Sequence, residues 1–572
     1  MGVFLPSLGG VSVTKQITSE FSGYNHRLRI NRGEWFDMEN MSANFFPVLS
    51  PRSGRGTVRT FTKLNGLYAH DKLCWVDGTD FYYGGVKKGI VSDEKKQFVS
   101  MGSYVLIWPD KVYYNASTDE FGPLGNSVQT SSEVSVTLCK IDGTAYENYT
   151  VSESSPSNPS DGQLWIDSSA APHVLKQYSN ATGTWVSVPT TYAKIASTGI
   201  GSGFSEYDGV SISGMEEESL NGEFILYGVS NDYVIITAVV DEVLTQAGTV
   251  TLERKIPDMD YVTESENRVW GCSSENHEIY ACKLGDPKNW NSFLGIASDS
   301  YAMTVGSPGD FTGCITHLGY VLFFKEDVIH KIYGSKPSNY QLTNTNCRGV
   351  EKGSEKSLVI VNETLYYKAR NDVCAYNSAL PVTISEVFGD VKYKNATAGA
   401  YDGKYYISMQ DQQDNSVLFV YDELTGLWHK EDNTYAEYFA DLDGELYFAA
   451  GNKLYSVSGN IAKYADTSAA LEGAVEWMVE SGDIGIDSPD NKYISKLQFR
   501  LEVSDTSLVR VELQYDHDGV WVESARINMT ERKSFTLPVI PRRCDTLKIR
   551  LSGWGDFKLY SIAYTIGQGS DV

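Results

Sequence analysis

The stretch GKYYISMQDQQDNSVLFVYDELTGLW, residues 403–428, decides the fold. It reads as a strand rich in aromatic and aliphatic residues, a polar gap, then a second strand that closes on an aliphatic residue and Tyr421. Its tail, YDELTGLW (421–428), is strand, turn, strand, with Thr425-Gly426 in the turn and Trp428 set to pack between sheets. The same plan returns at 67–85, 104–116, 267–290, 319–334, 358–376 and 444–458. The closing tyrosines are Tyr82, Tyr113, Tyr280, Tyr333, Tyr376, Tyr421 and Tyr455, and apart from one long gap they recur every 31 to 53 residues. That is the interval of propeller blades. One hairpin cannot bury both of its faces, whereas sheets stacked radially bury each face against a neighbour and leave only short edges. The expectation is an all-β chain containing a β-propeller of about seven blades, with six and eight also fitting the pattern.

Working outward, the long gap becomes an insertion and the ends become separate pieces. The expected division is 1–63 as an N-terminal arm, 64–124 and 258–465 as the two parts of the propeller, 125–257 as an inserted small β domain, and 466–572 as a C-terminal antiparallel β-sandwich. The sandwich follows from strict alternation in LQFRLEV (497–503), VRVELQY (509–515) and LKIRL (547–551). The best helical candidate is Ser468 to Glu480, SAALEGAVEWMVE, short and interrupted by Gly473.

Composition agrees with a strand-rich chain. Tyr (37 copies) and Gly (51 copies) favour short strands and tight turns, and Asp-Gly turn pairs recur, among them Asp402-Gly403 and Asp443-Gly444. No window approaches 18 consecutive apolar residues, so no transmembrane helix and no membrane insertion is expected. The eight cysteines form no CxxC pair, which suits reduced, buried thiols in a protein made in a cytoplasm. A net charge of −25 opposes tight binding of nucleic acid, which needs a basic footprint.

Motifs for chemistry are scarce. There is no phosphate-binding loop, no GxSxG and no HExxH. DLDGE (441–445) and DHDG (516–519) carry paired carboxylates but lack a distal glutamate at calcium-loop spacing, so they read as hairpin turns. No carboxylate pair stands out for glycoside hydrolysis among 73 acidic residues. The expectation is no catalytic residue, no metal, no cofactor and no enzyme activity. Trp165 and Trp185 in the insertion are candidate glycan contacts, weighed against packing in the core.

One basic segment stands apart. Within NMSANFFPVLSPRSGRG (40–56) and just beyond, Phe45 and Phe46 ask for burial, Pro47 and Pro51 restrict the backbone, and Arg52, Arg55 and Arg59 ask for carboxylates. Three readings stay open: an arm lying across its own propeller, an arm docking on an acidic neighbour, or a contact to DNA.

That phrase, set before a series of Tyr-rich blades, resembles virion proteins of the tail-nozzle type (stabilisation, or tail tubular B) of short-tailed phages. So do ENHEIYACKLGDPKNWNSF (275–293), the ending DSPDNKYISKLQFRLEV with VIPRRCDTLKIRLSGWGDFKLYSI, and the inserted DGQLWIDSS with LKQYSNATGTWVSV. The resemblance implies a structural protein of the virion tail, synthesised in the host bacterial cytoplasm. It implies a ring, a homohexamer, below the portal–adaptor proteins. The ring would surround a channel for genome retention and DNA ejection and carry tail fibres or spikes, with genome DNA passing without tight binding. The alternative is a tail-associated receptor- or carbohydrate-binding protein.

Overall fold

The computed structural model describes residues 13–537 and 539–568. Among them the chain is all-β and of β-propeller type, with helix confined to short 3₁₀ turns such as Glu386–Phe388. The described residues divide into two compact units. One gathers residues up to Lys95, Phe324–Ile329 and residues from Thr345 onward; the other gathers Lys96–Phe323 and His330–Asn344.

The first unit holds four-stranded antiparallel meanders at Leu64–Ile90, Val359–Thr383 and Tyr393–Lys430. A further meander, Tyr438–Leu442, Glu445–Ala450 and Lys453–Ser456, supplies only three strands of its own. Its next strand is Gly56–Thr60, from nearly four hundred residues earlier, paired antiparallel to Lys453–Ser456. A strand from the start of the chain thereby completes the last blade. The Asp402-Gly403 and Asp443-Gly444 turns both show positive φ at each residue, the backbone that two-residue hairpin turns require and that Asp and Gly tolerate. The second unit holds the meanders Gln97–Pro123 and Tyr261–Thr304, and most of Gly313–Asn346. It also holds three sheets of the 125–257 stretch, built around a core that includes Val136, Ile166, Ile195 and Leu252.

The C-terminal strands form a seven-stranded sheet around Lys492–Tyr515, a strand of 24 residues. Its first half pairs with Phe557–Gln568, its second half with Leu547–Trp554, and Val522–Leu537 runs along its other edge. Leu497, Phe499, Leu501, Val509, Val511 and Leu513 all point inward and are buried, as alternation demands.

One expectation needs correction. The helical candidate at 468–480 is strand: Ala470–Leu471 and Glu476–Ser481. Trp477 and Val479 are buried one residue apart, and Trp477 stacks on Phe557 at 3.9 Å, so packing against a sheet outweighs the local helical preference of SAALEGA. The described part of the N-terminal segment is built into sheets of its own chain. Val13–Thr18 pairs with Phe557–Gln568 and Trp35–Glu39 pairs with Glu476–Ser481, so both belong to the C-terminal sheet. The first twelve residues of that segment lie outside the described residues.

Candidate functional site

The meander opened by residues 403–428 has two unlike faces. Lys404–Asp411 lies antiparallel to Ser416–Asp422, with Lys404 opposite Asp422 and Tyr406 opposite Val420; Val420 in turn stands opposite His429. A period of two sends Tyr405, Ile407, Phe419 and Trp428 to one face, where they join the largest hydrophobic cluster. Lys404, Tyr406, Val420, Asp422, His429 and Glu431 fall on the other.

On this second face, strand residues and residues 41–55 together enclose a chamber of about 160 Å³. Its wall includes Asn44, Lys404, Asp422, His429, Glu431 and Ser458. Lys404 donates from Nζ to Asn44 Oδ1, and Asp422 accepts from the Thr425 backbone N–H at 3.0 Å. His429 is 3% exposed, and among the described residues neither of its ring nitrogens has a hydrogen-bond partner. Burial pulls its imidazole down to about 4, with Lys404 adding to this and Asp422 opposing it. The ring is therefore neutral at physiological pH, one nitrogen carrying a proton and the other a lone pair. Burial also pushes the Tyr406 phenol well above its ordinary range.

The chamber adjoins an open groove of about 1030 Å³, and Asn44, Asp402, Lys404 and Asp422 line both. Blade turns make much of the groove, Asn362–Thr364, Asp402-Gly403 and Glu423–Thr425, and Phe46 also lines it. Four carboxylates, on Glu363, Asp402, Asp422 and Glu423, face it against the single ammonium of Lys404. Glu423 is held by Asn362 and by the Tyr366 hydroxyl, which donates at 3.2 Å. Leu424 is almost wholly exposed, and Phe46 is 38% exposed.

The residues singled out in the sequence are distributed differently from a docking arm. Arg52 and Arg55 are buried. Arg52 makes a bidentate pair with Glu472 at 2.7 and 2.9 Å, and its Nε donates to Asn40 Oδ1 at 2.7 Å. Arg55 pairs with Glu431, and with Asp432 at 2.7 Å. Burial lowers the Arg55 guanidinium's affinity for its proton, but Glu431 and Asp432 outweigh that and hold it above the usual range. Burial raises the Asp432 and Glu472 carboxyls, and the arginines with nearby hydrogen bonds carry both below the usual range. Arg59 lies over the Trp75 ring at 4.3 Å. These are the contacts of a segment folded on its own chain, so Arg52 and Arg55 present no free charge to a neighbour or to DNA. Phe45 and Phe46 are not the buried anchor either. That role falls to Met41 and Leu49, at 1% and 2% exposure, while Phe45 stays 51% exposed beneath the Lys558 ammonium.

Trp165 and Trp185 meet edge to face at 5.3 Å. Trp165 is buried and donates from Nε1 to the Ser152 carbonyl at 3.0 Å, so it packs rather than offering a face to a sugar. Trp185 remains half-buried. Among the described residues no group of three or more His, Cys, Asp or Glu is placed to hold a metal, and no helix is long and apolar enough to cross a membrane. All eight cysteines are free thiols. Sequence reasoning missed Lys404, Asp422 and His429. The signal was a lone histidine in LWHK, one strand from an Asp-Glu turn, and it gains meaning only once register sets those residues side by side.

No family model matches the chain, and no curated protein matches it. Solved structures do. An exo-β-1,3-galactanase from Phanerochaete chrysosporium is 10% identical, with 52% of this chain and 92% of that chain covered and a TM-score of 0.20. The endosialidase of phage phi92 is 10% identical over 91% of this chain and 75% of that one, with a TM-score of 0.22. U3-55K is 6% identical over 70% and 98%, with a TM-score of 0.27. At these scores no residue role transfers. They do correct the expectation of a non-enzyme, which is withdrawn because glycoside hydrolases and an endosialidase stand among the matches.

Proposed function

We propose that the chain is a virion tail protein that binds carbohydrate of the host surface in the groove beside Asp402 and Glu423. The groove itself carries this reading: it is open, about 1030 Å³ in volume, and continues into a polar chamber. Carboxylates and amides from blade turns pair with sugar hydroxyls, while the exposed Phe46 ring and Leu424 offer apolar surface to a sugar face. The place in a tail rests on the quoted phrases that resemble phage tail proteins. The test is a glycan array probed with the full chain and with Asp402→Ala/Glu423→Ala. Binding that vanishes in the double variant supports the groove. Binding that survives it but vanishes with Trp185→Ala moves the site to the insertion and overturns this assignment. Product release from a bound polysaccharide, followed by reducing-end assay, decides whether binding leads to hydrolysis.

A second reading, a subunit of the tail nozzle ring, is favoured by one observation. Phe45 and Phe46 stand exposed on a segment that is otherwise firmly held by Met41, Leu49, Arg52 and Arg55. Exposed aromatics on a fixed support suit a contact with a neighbouring subunit or with portal–adaptor proteins. Mass photometry of wild type and of Phe45→Ser/Phe46→Ser tests it: a closed oligomer lost in the variant supports the ring, and a monomeric wild type removes it.

A further inference from the structure

We infer that the groove selects neutral glycans over anionic ones and seats the terminal sugar of such a glycan in the His429 chamber. This rests on the glycan reading above and names the ligand class of that same site.

The charges decide the class. At the mouth Glu363, Asp402, Asp422 and Glu423 confront Lys404, whose ammonium is already bonded to Asn44. A sialylated or phosphorylated glycan would bring further negative charge within a screening length of about 8 Å of these carboxylates. Deeper in, the cations are committed. Arg52 is held by Glu472, and Arg55 by Glu431 and Asp432. Neither guanidinium is free to receive a ligand carboxylate in the bidentate manner that anion recognition uses. Site and surface therefore agree, since the whole chain carries −25.

The chamber decides the part of the glycan. A volume of about 160 Å³ equals roughly five waters at ~30 Å³ each, room for one sugar ring and not for a chain. His429 is the independent mark of a ligand there. It is nine-tenths buried, lines the chamber, and has no hydrogen-bond partner among the described residues. Its ring nitrogens are not among the sealed, unpaired side-chain atoms of the described residues, so they keep an opening onto the chamber where a ligand hydroxyl can pair with them. A neutral imidazole offers one donor and one acceptor, and a sugar hydroxyl offers the same pair in complement. Asp422 and Lys404, flanking it, supply an acceptor and donors for neighbouring hydroxyls.

The test presents the full chain with a galactose-terminated oligosaccharide and its sialylated counterpart, immobilised at equal density. Wild type is expected to bind the neutral probe at least about tenfold more tightly, a difference near 1.4 kcal/mol. His429→Ala should weaken the neutral probe by a similar factor. His429→Gln, whose amide also donates and accepts, should restore much of it. Asp402→Asn/Glu363→Gln, at two exposed positions, should narrow the gap by admitting the sialylated probe. The exposed pair keeps the test decisive even if His429→Ala fails to fold. Preference for the sialylated probe, or unchanged discrimination in the exposed pair together with wild-type affinity in the His429 variants, overturns this inference and leaves the glycan reading standing. Binding to no glycan on a broad array overturns the glycan reading, and this inference with it.

Discussion

The two faces of the Tyr393–Lys430 meander share the same strands, register and turns, yet one is dry and the other polar. Tyr405, Ile407, Phe419 and Trp428 form the dry face, with Phe419 stacked on Phe388 at 4.4 Å. Lys404, Tyr406, Asp422, His429 and Glu431 form the polar face. The side-chain period alone separates them. The lesson is that alternate positions along each strand divide the tasks, one face of the blade stabilising it and the other carrying chemistry. A substitution should therefore act on stability or on ligand according to parity.

The largest expected effect breaks the dry face. Phe419→Ala removes a ring that is fully buried among Tyr24, Phe388, Tyr393 and Trp428. Large aromatic-to-alanine changes in a core cost about 3–5 kcal/mol. Chemical denaturation should show a lower midpoint with little change in slope. A loss under about 1 kcal/mol would mean that this face is not the tightly packed core it is taken for.

Next comes the boundary of the polar face, where residues 52–55 are pinned. Arg55→Ala leaves the buried Glu431 and the half-buried Asp432 without their nearest cation, with only Arg52 remaining, at 3.9 and 3.8 Å. Removing one partner of a buried pair costs about 3 kcal/mol or more, because the other charge stays desolvated. The loss should shrink in the triple variant Arg55→Met/Glu431→Gln/Asp432→Asn, which removes charge on both sides. Thermal denaturation of the two variants at neutral pH checks this. An equal loss in both would assign the role of Arg55 to packing over Phe448, which its guanidinium overlies at 5.2 Å.

The third effect depends on pH and isolates His429. Burial holds its folded-state imidazole at about 4 against an ordinary 6.5. Above pH 6.5 it is neutral both folded and unfolded. Between 6.5 and 4 the unfolded chain takes up a proton that the folded chain refuses, so stability falls as pH falls. The full difference approaches about 3 kcal/mol at 1.36 kcal/mol per unit. Asp432 and Glu472 are also shifted down, but from the lower ordinary values of carboxyls, so their contribution is lost only as pH drops through and below the usual carboxylate range. His429→Gln should thus flatten the upper part of the acid limb and leave the lower part. A limb unchanged by the variant would show that the chamber keeps His429 wetter than its burial implies.

How much of this could be read beforehand follows from the range of the interactions. Blade strands were legible because alternation and closing tyrosines are local, and the inward set of Leu497, Phe499, Leu501 and Val503 follows the same rule. Pairing across the chain was not. Nothing near Trp35–Glu39 announces its partner Glu476–Ser481, nor does Gly56–Thr60 announce Lys453–Ser456. For the same reason the arginine segment could be read three ways, since Glu431, Asp432 and Glu472 lie hundreds of residues off. Glu476–Ser481 was misread because its local composition favours helix while Phe557, which stacks on Trp477, is distant in sequence. His429 was visible only as a lone histidine; its neighbours in the chamber come from three other strands, from Val457 and Ser458, and from residues 41–55.

The smallest expected effect on stability lies at the mouth and sharpens the comparison most. Asp402 sits exposed in a hairpin turn with φ of 50°, a backbone state that Asn adopts as readily as Asp. Asp402→Asn should therefore leave the melting temperature within the range of a surface change, about 0.5 kcal/mol in either direction. It removes one of the four carboxylates facing the groove, so its effect should appear in ligand charge preference instead. Measured together, a silent melting curve and an altered ratio of anionic to neutral glycan binding would separate function from fold at one residue. A destabilisation comparable to Phe419→Ala would instead make the turn part of the core's support, and parity along the strands would no longer divide the two tasks.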